Sequence, residues 1–431
     1  MTKQHKPSPD QSFVGSKLPW VLAGAAFLLY LLTLNHWISL SNLGFVARGA
    51  GWAWGVDVYN PVFFLLTLPI RALPVSIMPL AYNLFSAVCG ALAAALLARS
   101  AVILPHNRTQ DQRLRERNPL GLLSNDFAWL PPLFAGLVFI LQLTVWENST
   151  TGSNDVVDVL LVAYIINNLL EYRLDEKDSR LFRAALVCGA AMANSWLVFV
   201  LFPAFLASVI WIKKLEFFNA RFLLRMLLFG VLGTLFYLLL PTVQAMSSEH
   251  LITFGAALKM NLAMDKQTFV FFFRRAPLSL DVMLIVTSLL PLLIIGIRWA
   301  SNFGDPSKMG TAITKLVFHV THLGLLLVLL WMAFDPVFSP RRKGFALTPF
   351  SFIASLGIGY LVGYFLIVFR PLPERMGRST SLQIALNRVS IGLSFALLVI
   401  VPLGLLLRNL PQVRLTNGPA LKDYATQLVE N

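Results

Sequence analysis

Apolar runs of bilayer-crossing length recur along the whole chain, separated by polar connectors. Eleven fall at roughly 19–37, 78–103, 128–146, 156–171, 182–195, 197–212, 224–243, 281–298, 316–333, 347–369 and 389–408. This pattern predicts an all-α integral membrane protein of about 11 transmembrane helices. The fifth and sixth runs are short and meet at Asn194-Ser195-Trp196. They form either a hairpin of two thin spans or a buried helical pair that does not fully cross. Residues 1–18 read as a cytoplasmic tail, 19–408 as the multi-pass domain and 409–431 as the start of an extracytoplasmic segment. The first apolar run is long and no small-residue cleavage site follows it, so it reads as a retained anchor.

Two apolar stretches do not fit a span. PVFFLLTLPIRALP is too short and is bounded by prolines, and LITFGAALKMNLAMDKQTFVFFFRR is amphipathic; both predict interfacial helices. The first belongs to a long segment, Asn35 to Ile77, that also holds NHWISLSNLGFVARGAGWAWGVDVYNP, with three tryptophans, Arg48 and Asp57. At the other end, RLTNGPALKDYATQLVEN predicts a helix capped at Thr416 or Asn417, with Leu421, Tyr424, Ala425, Leu428 and Val429 on one face. Nothing after it in the chain can cover that face, so a soluble domain or a protein partner is expected there.

Composition agrees with the pattern. The chain is 57% hydrophobic and 13% charged, with a mean hydropathy of +0.69, where soluble domains carry about 25% charged residues. The net charge of +14 does not imply nucleic acid, because 23 of the 35 Lys and Arg fall in alternate connectors. That asymmetry places the N-terminus in the cytoplasm and the C-terminus outside. The two cysteines, Cys89 and Cys188, lie inside apolar runs and signal neither a disulfide nor zinc. No internal repeat of the kind built into transporters is visible.

Candidate chemistry collects on the outer side. In VWENSTTGSNDVVDVLL, Asp155 and Asp158 are three apart at the mouth of the fourth span, with Glu147 across a Ser/Thr/Gly-rich turn. Two carboxylates there suit a general base or a divalent metal; the plainer reading is that Asp155 caps the helix N-terminus, where negative charge is also favoured. Arg274-Arg275 and Arg341-Arg342 run against the positive-inside trend and suit a lipid phosphate, whether that of a substrate or of ordinary headgroups. His319 and His322 are spaced for a metal, but lack a carboxylate neighbour and read as a helix contact. Gly359 and Gly363 read as a helix-packing pair, and Asn148-Ser149-Thr150 matches a glycosylation sequon.

The order of TLNHWISLSNLGF, NPVFFLLTLPIRALP, YNLFSAVCGALAAALLARS, WENSTTGSNDVVDVLL, GAAMANSWLVFVLFPAF and FDPVFSPR resembles the GT-C glycosyltransferases. Within them it is similar to bacterial multi-pass proteins related to protein O-mannosyltransferases. The resemblance implies transfer of a sugar from a polyprenyl-phosphate donor to an acceptor on the extracytoplasmic face. Asp155, Asp57 or Asp158 would serve as the catalytic carboxylate, and Arg274, Arg275, Arg341 and Arg342 would hold the lipid phosphate. Glu147, Asn194, Trp196 and Trp54 would line the pocket. The chain also departs from the family. Asn42-Leu43-Gly44-Phe45 stands where members carry Asp-Ser-Gly-Glu, VDVYNP replaces His-Pro-Pro-Gly-Tyr-Pro, and Asn194-Ser195 replaces Asn-His, while Asp155 keeps its acidic position. A non-catalytic anchor or scaffold for a soluble outer domain is therefore the competing expectation.

Overall fold

A computed structural model describes residues 13–39, 42–49, 60–106, 120–246, 252–275, 308–334, 348–371 and 381–430. Among these the chain is helical, with no strands. In order the helices are α1 (Leu18–Leu32), α2 (Leu43–Gly49), α3 (Pro61–Thr67), α4 (Met78–Ile103), α5 (Leu130–Leu141), α6 (Leu143–Thr150), α7 (Asp155–Asp175) and α8 (Asp178–Asn194). They continue with α9 (Trp196–Lys213), α10 (Ala220–Thr234), α11 (Leu239–Met246), α12 (Phe254–Arg275), α13 (Lys308–Phe334), α14 (Thr348–Val368), α15 (Ser381–Thr416) and α16 (Ala420–Glu430). Ten of the eleven expected runs lie on these helices, and the run at 281–298 lies outside the described residues.

Among the described residues, fewer helices qualify as crossings than the ten expected runs that lie there. Seven helical segments among the described residues are long and apolar enough to cross a membrane, and eight if a bent pair is one span. The difference has two sources. Helix α7 carries Asp158, Glu171 and Arg173 and is too charged to qualify, and α8, at 17 residues, is too short. The expected span at 128–146 is broken into α5 and α6, which meet at 64°. Gln142 at the break is extended (φ −60°, ψ 132°), and its side chain donates to Ser355 Oγ at 3.1 Å.

Packing separates a centre from a rim. The most hydropathic stretch of α14 is 89% buried, whereas that of the α10–α11 segment is only 11% buried. Helix α4 forms the middle of the bundle against α1, α5 and α7, while α14 lies on α5, α7 and α13. Leu224, Leu227 and Leu228 of α10 are exposed, the mark of a lipid-facing surface rather than of a missing core. Small residues set the closest approaches. A Cβ on Gly189 of α8 would run into the carbonyl of Gly230 on α10, and one on Gly233 into that of Leu186. The expected packing role of Gly359 also holds, since its Cβ would sit 2.9 Å from Ala135 Cβ.

The helix ends sort into two poles. At one, Arg99 donates to Glu171 (2.8 Å) and to the Gly15 carbonyl (2.6 Å). Arg180 pairs there with Asp175 (2.8 Å), and Lys213 with Asp178 (2.9 Å). At the other pole, α1 ends, α4 begins, α6 ends, α7 begins, α8 ends and α15 ends. The basic connectors between expected spans that contain Arg99, Arg180 and Lys213 therefore share a single face. We call the two faces the Arg99 pole and the Asn194 pole.

Candidate active site

A layer of buried polar side chains closes the Asn194 pole, and Asn194 is its hub. Asn194, the last residue of α8, donates through Nδ2 to Asp158 Oδ1 (2.7 Å) and to Asn154 Oδ1 (2.8 Å). Its Oδ1 accepts from the backbone N–H of Val62 (3.0 Å) and of Phe63 (3.1 Å), in the first turn of α3. Asn60 adds a bond from Nδ2 to the Asn194 carbonyl (2.8 Å). The chemistry of the hub is specific: helix N-terminal amides only donate, an ionised carboxylate only accepts, and an amide side chain does both. Neither Asp nor Leu at 194 could join the two.

Asp158 is 2% exposed, one turn inside α7, and both oxygens are occupied, since Asn154 Nδ2 donates to Oδ2 (3.1 Å). Asp155, the first residue of α7, is only half-buried. It is not the helix cap. That place is taken by Asn154, and Ser153 Oγ accepts from the Asp155 N–H (3.2 Å). Thus one carboxylate is sealed into the scaffold and the other stands at the mouth.

The same layer extends under the first long loop. Asn83 of α4 accepts through Oδ1 from Gly152 N–H (2.5 Å) and Asn42 Nδ2 (2.9 Å), and its Nδ2 donates to the Asn35 carbonyl (2.6 Å). Asn42 is fully buried, with Oδ1 accepting from Ser39 N–H (2.8 Å). The residue standing where the GT-C resemblance expects an aspartate is thus spent on holding the loop. Glu147 belongs to a neighbouring group, where its Oε1 accepts from Thr416 Oγ (3.0 Å) at the end of α15. Asn417 Nδ2 donates nearby to the Thr33 carbonyl (2.6 Å) and to Thr150 Oγ1 (2.9 Å).

Other expectations divide. Asn417 does not cap α16, because its side chain turns into this junction and Oδ1 has no hydrogen-bond partner among the described residues. Asn148 of the sequon is buried and donates to the Thr144 carbonyl, so the folded chain does not present it. His319 bonds the Tyr364 hydroxyl (2.8 Å) and His322 the Phe318 carbonyl (2.7 Å), which is the helix contact expected. Both cysteines are free and buried. Arg274 is exposed near the end of α12, whose main neighbour is α11. The side chains of Arg275 and Trp196 are not described, and Asp57, Trp54, Arg341 and Arg342 lie outside the described residues. For a divalent metal, no three His, Cys, Asp or Glu side chains gather among the described residues.

Sequence reading missed Asn60, Asn83, Asn154 and Arg71. Asn83, an isolated amide inside an apolar run, carried a signal, because polar groups within spans seldom lack a role. Arg71, at the end of the 3-10 turn that continues α3 (Leu68–Ala72), lies over the Phe64 ring at 4.2 Å. Its Nε is buried without a hydrogen-bond partner among the described residues.

These features define a class: a multi-helix membrane-type bundle with a carboxylate-bearing polar layer at one pole, bonded to the start of a short apolar helix. Residues 59–217 match the model of a family described as the Protein O-mannosyl-transferase TMEM260 N-terminal domain. Over that segment the chain is similar to this O-mannosyltransferase family, and the segment holds Asn60, Asn83, Asn154, Asp155, Asp158 and Asn194. No curated protein and no solved structure matches the chain.

Proposed function

We propose that the chain is a GT-C-type membrane glycosyltransferase. It moves a sugar from a polyprenyl-phosphate donor to an acceptor hydroxyl at the Asn194 pole. That pole faces the extracytoplasmic side of a bacterial inner membrane, with the N-terminus in the cytoplasm. The observation that carries the reading is that the O-mannosyltransferase match spans every element meeting at Asn194, namely α3, α7 and α8.

In the reaction the acceptor oxygen bonds to the anomeric carbon as the bond from that carbon to the phosphate oxygen breaks. The phosphate leaves with the bonding pair, and Asp155 takes the hydroxyl proton. Asp158 positions α7 through Asn194 and Asn154 and does not touch substrate. Arg274, Arg275, Arg341 and Arg342 offset the charge on the leaving phosphate, and Arg71, in the turn that continues α3, joins them. Glu147 and Trp196, with Trp54 and Asp57 of the first loop, border the acceptor's approach.

A second reading, a non-catalytic anchor for a soluble outer domain or partner, draws on the burial of Asn42 where the family resemblance expects a carboxylate. Native mass spectrometry with added polyprenyl phosphate separates the two. The transferase reading expects a lipid bound by the full chain and lost when Arg341 and Arg342 are both changed to Ala. No binding by the unaltered chain supports the anchor.

A further inference from the structure

One well-formed cleft in the described residues lies away from the carboxylates. It measures about 260 Å³ and runs between α7, α9 and α14, with Val162, Ile165, Leu169, Leu201, Phe205 and Leu356 among its walls. It begins at Val162, one helical turn below Asp158, and ends at Arg173 near the Arg99 pole. Along α7 that is about 16 Å at a rise of ~1.5 Å per residue.

Three observations specify the occupant. The first is the lining, which is apolar over most of its length; an engineered aliphatic cavity of ~150 Å³ already stays dry and takes up benzene. A larger apolar cleft therefore selects a hydrocarbon over water. The second is where it opens: Trp211 lines the cleft and is also 52% exposed, on a helix whose Phe199, Phe202 and Leu206 are exposed too. The cleft thus reaches the lipid-facing surface. The third is polarity: Arg173, Ser208, Trp211 and Tyr360 collect toward one end, whereas Val162, Cys188 and Val198 close the other. An anionic headgroup fits only beside Arg173.

We infer that this cleft is a binding site for an anionic phospholipid of the leaflet at the Arg99 pole, with its headgroup at Arg173 and one acyl chain running toward the underside of Asp158. The polarity is opposite to that of a sugar donor, whose phosphate would lie at the Asn194 pole, so the site is separate from the proposed reaction. A chain in the cleft supports α7 and α9 beneath the Asp158–Asn194 bond.

The test uses the full chain in nanodiscs of phosphatidylglycerol and phosphatidylcholine, with lipids retained after ejection counted by native mass spectrometry. The unaltered chain is expected to retain one phospholipid, phosphatidylglycerol in preference to phosphatidylcholine. Ala204→Phe, which fills the cleft, loses it; Arg173→Gln keeps a lipid but loses the preference. Equal retention of the two lipids by the unaltered chain, no retained lipid, or unchanged retention in Ala204→Phe overturns the inference. If Ala204→Phe does not fold, Arg173→Gln decides alone: a preference that survives the loss of the guanidinium overturns the site.

Discussion

Replacing Asn194 with Ala tests the hub directly. The change removes four side-chain hydrogen bonds: two to α7 and its N-cap, and two to the first turn of α3. Two estimates of the cost compete. Hydrogen bonds between membrane helices average only about 0.6 kcal/mol in double-mutant cycles, because unfolded helices in the bilayer find other partners. A buried group left unsatisfied costs about 1–3 kcal/mol, and more when it is charged. Here the second dominates, because Asp158 loses its shortest partner at a site 2% exposed and Val62 and Phe63 lose their acceptor together. The expected loss is about 3 kcal/mol. The assay is reversible unfolding in mixed micelles, with Asn168→Ala as the comparison. Asn168 is also buried on α7, but among the described residues its side chain bonds only the Tyr164 carbonyl of its own helix, so its loss should be near 1 kcal/mol, about a single neutral bond. Hydrogen exchange supplies the local readout: amides of residues 60–72 should exchange faster in Asn194→Ala and not in Asn168→Ala. Equal stability of the two variants, with α3 still protected, would refute the hub.

Other consequences follow from the packing. Gly189→Ala and Gly233→Ala should each destabilise the bundle by at least 1–3 kcal/mol, the usual range of ~1–3 for overpacking, because backbone carbonyls occupy the space the new Cβ needs; thermal unfolding in detergent within error of the unaltered chain would contradict this. At the Arg99 pole, burial pushes the Asp175 carboxyl up, but the hydrogen bond and charge of Arg180, with Lys177, hold it below the usual carboxylate range. A depressed carboxyl contributes stability above its unfolded value and loses it as pH falls through the folded value. Stability should therefore fall in acid below the usual aspartate range, and Arg180→Gln should shrink that dependence; an unaltered acid limb would remove Asp175 from it. Asn417→Ala should release α16 without unfolding the bundle, seen as faster proteolysis within 418–430, because Asn417 ties the end of α15 to Thr33 and Thr150.

How far the sequence carried the structure depends on the kind of signal. Helix α4 occupies 78–103, the residues its apolar run predicts, because Pro74 and Pro79 bound its start and no charge interrupts it until Arg99. The break at Gln142 left no such trace. It lies in a continuous apolar run, and the side-chain bond that Gln142 makes there reaches Ser355, which is remote in sequence. The hub was half legible. Asp158 stood out as a carboxylate inside a span, but its partner lies 36 residues on and the bonded turn of α3 132 residues before that partner, on separate elements. The cap expected at Asn417 failed for the same reason: a residue suited to capping met a better partner in a distant loop.

The central claim is that the Asn194 pole transfers sugar with Asp155 as base. The most direct measurement is the release of polyprenyl phosphate from polyprenyl-phosphate mannose by full-length chain in proteoliposomes, comparing Asp155→Asn with the unaltered protein. Hydrogen exchange confirms that α7 is unchanged. General-base catalysis contributes about 10²–10⁴-fold, so turnover should fall by roughly that factor while donor binding persists. Turnover in Asp155→Asn equal to that of the unaltered chain would contradict the account.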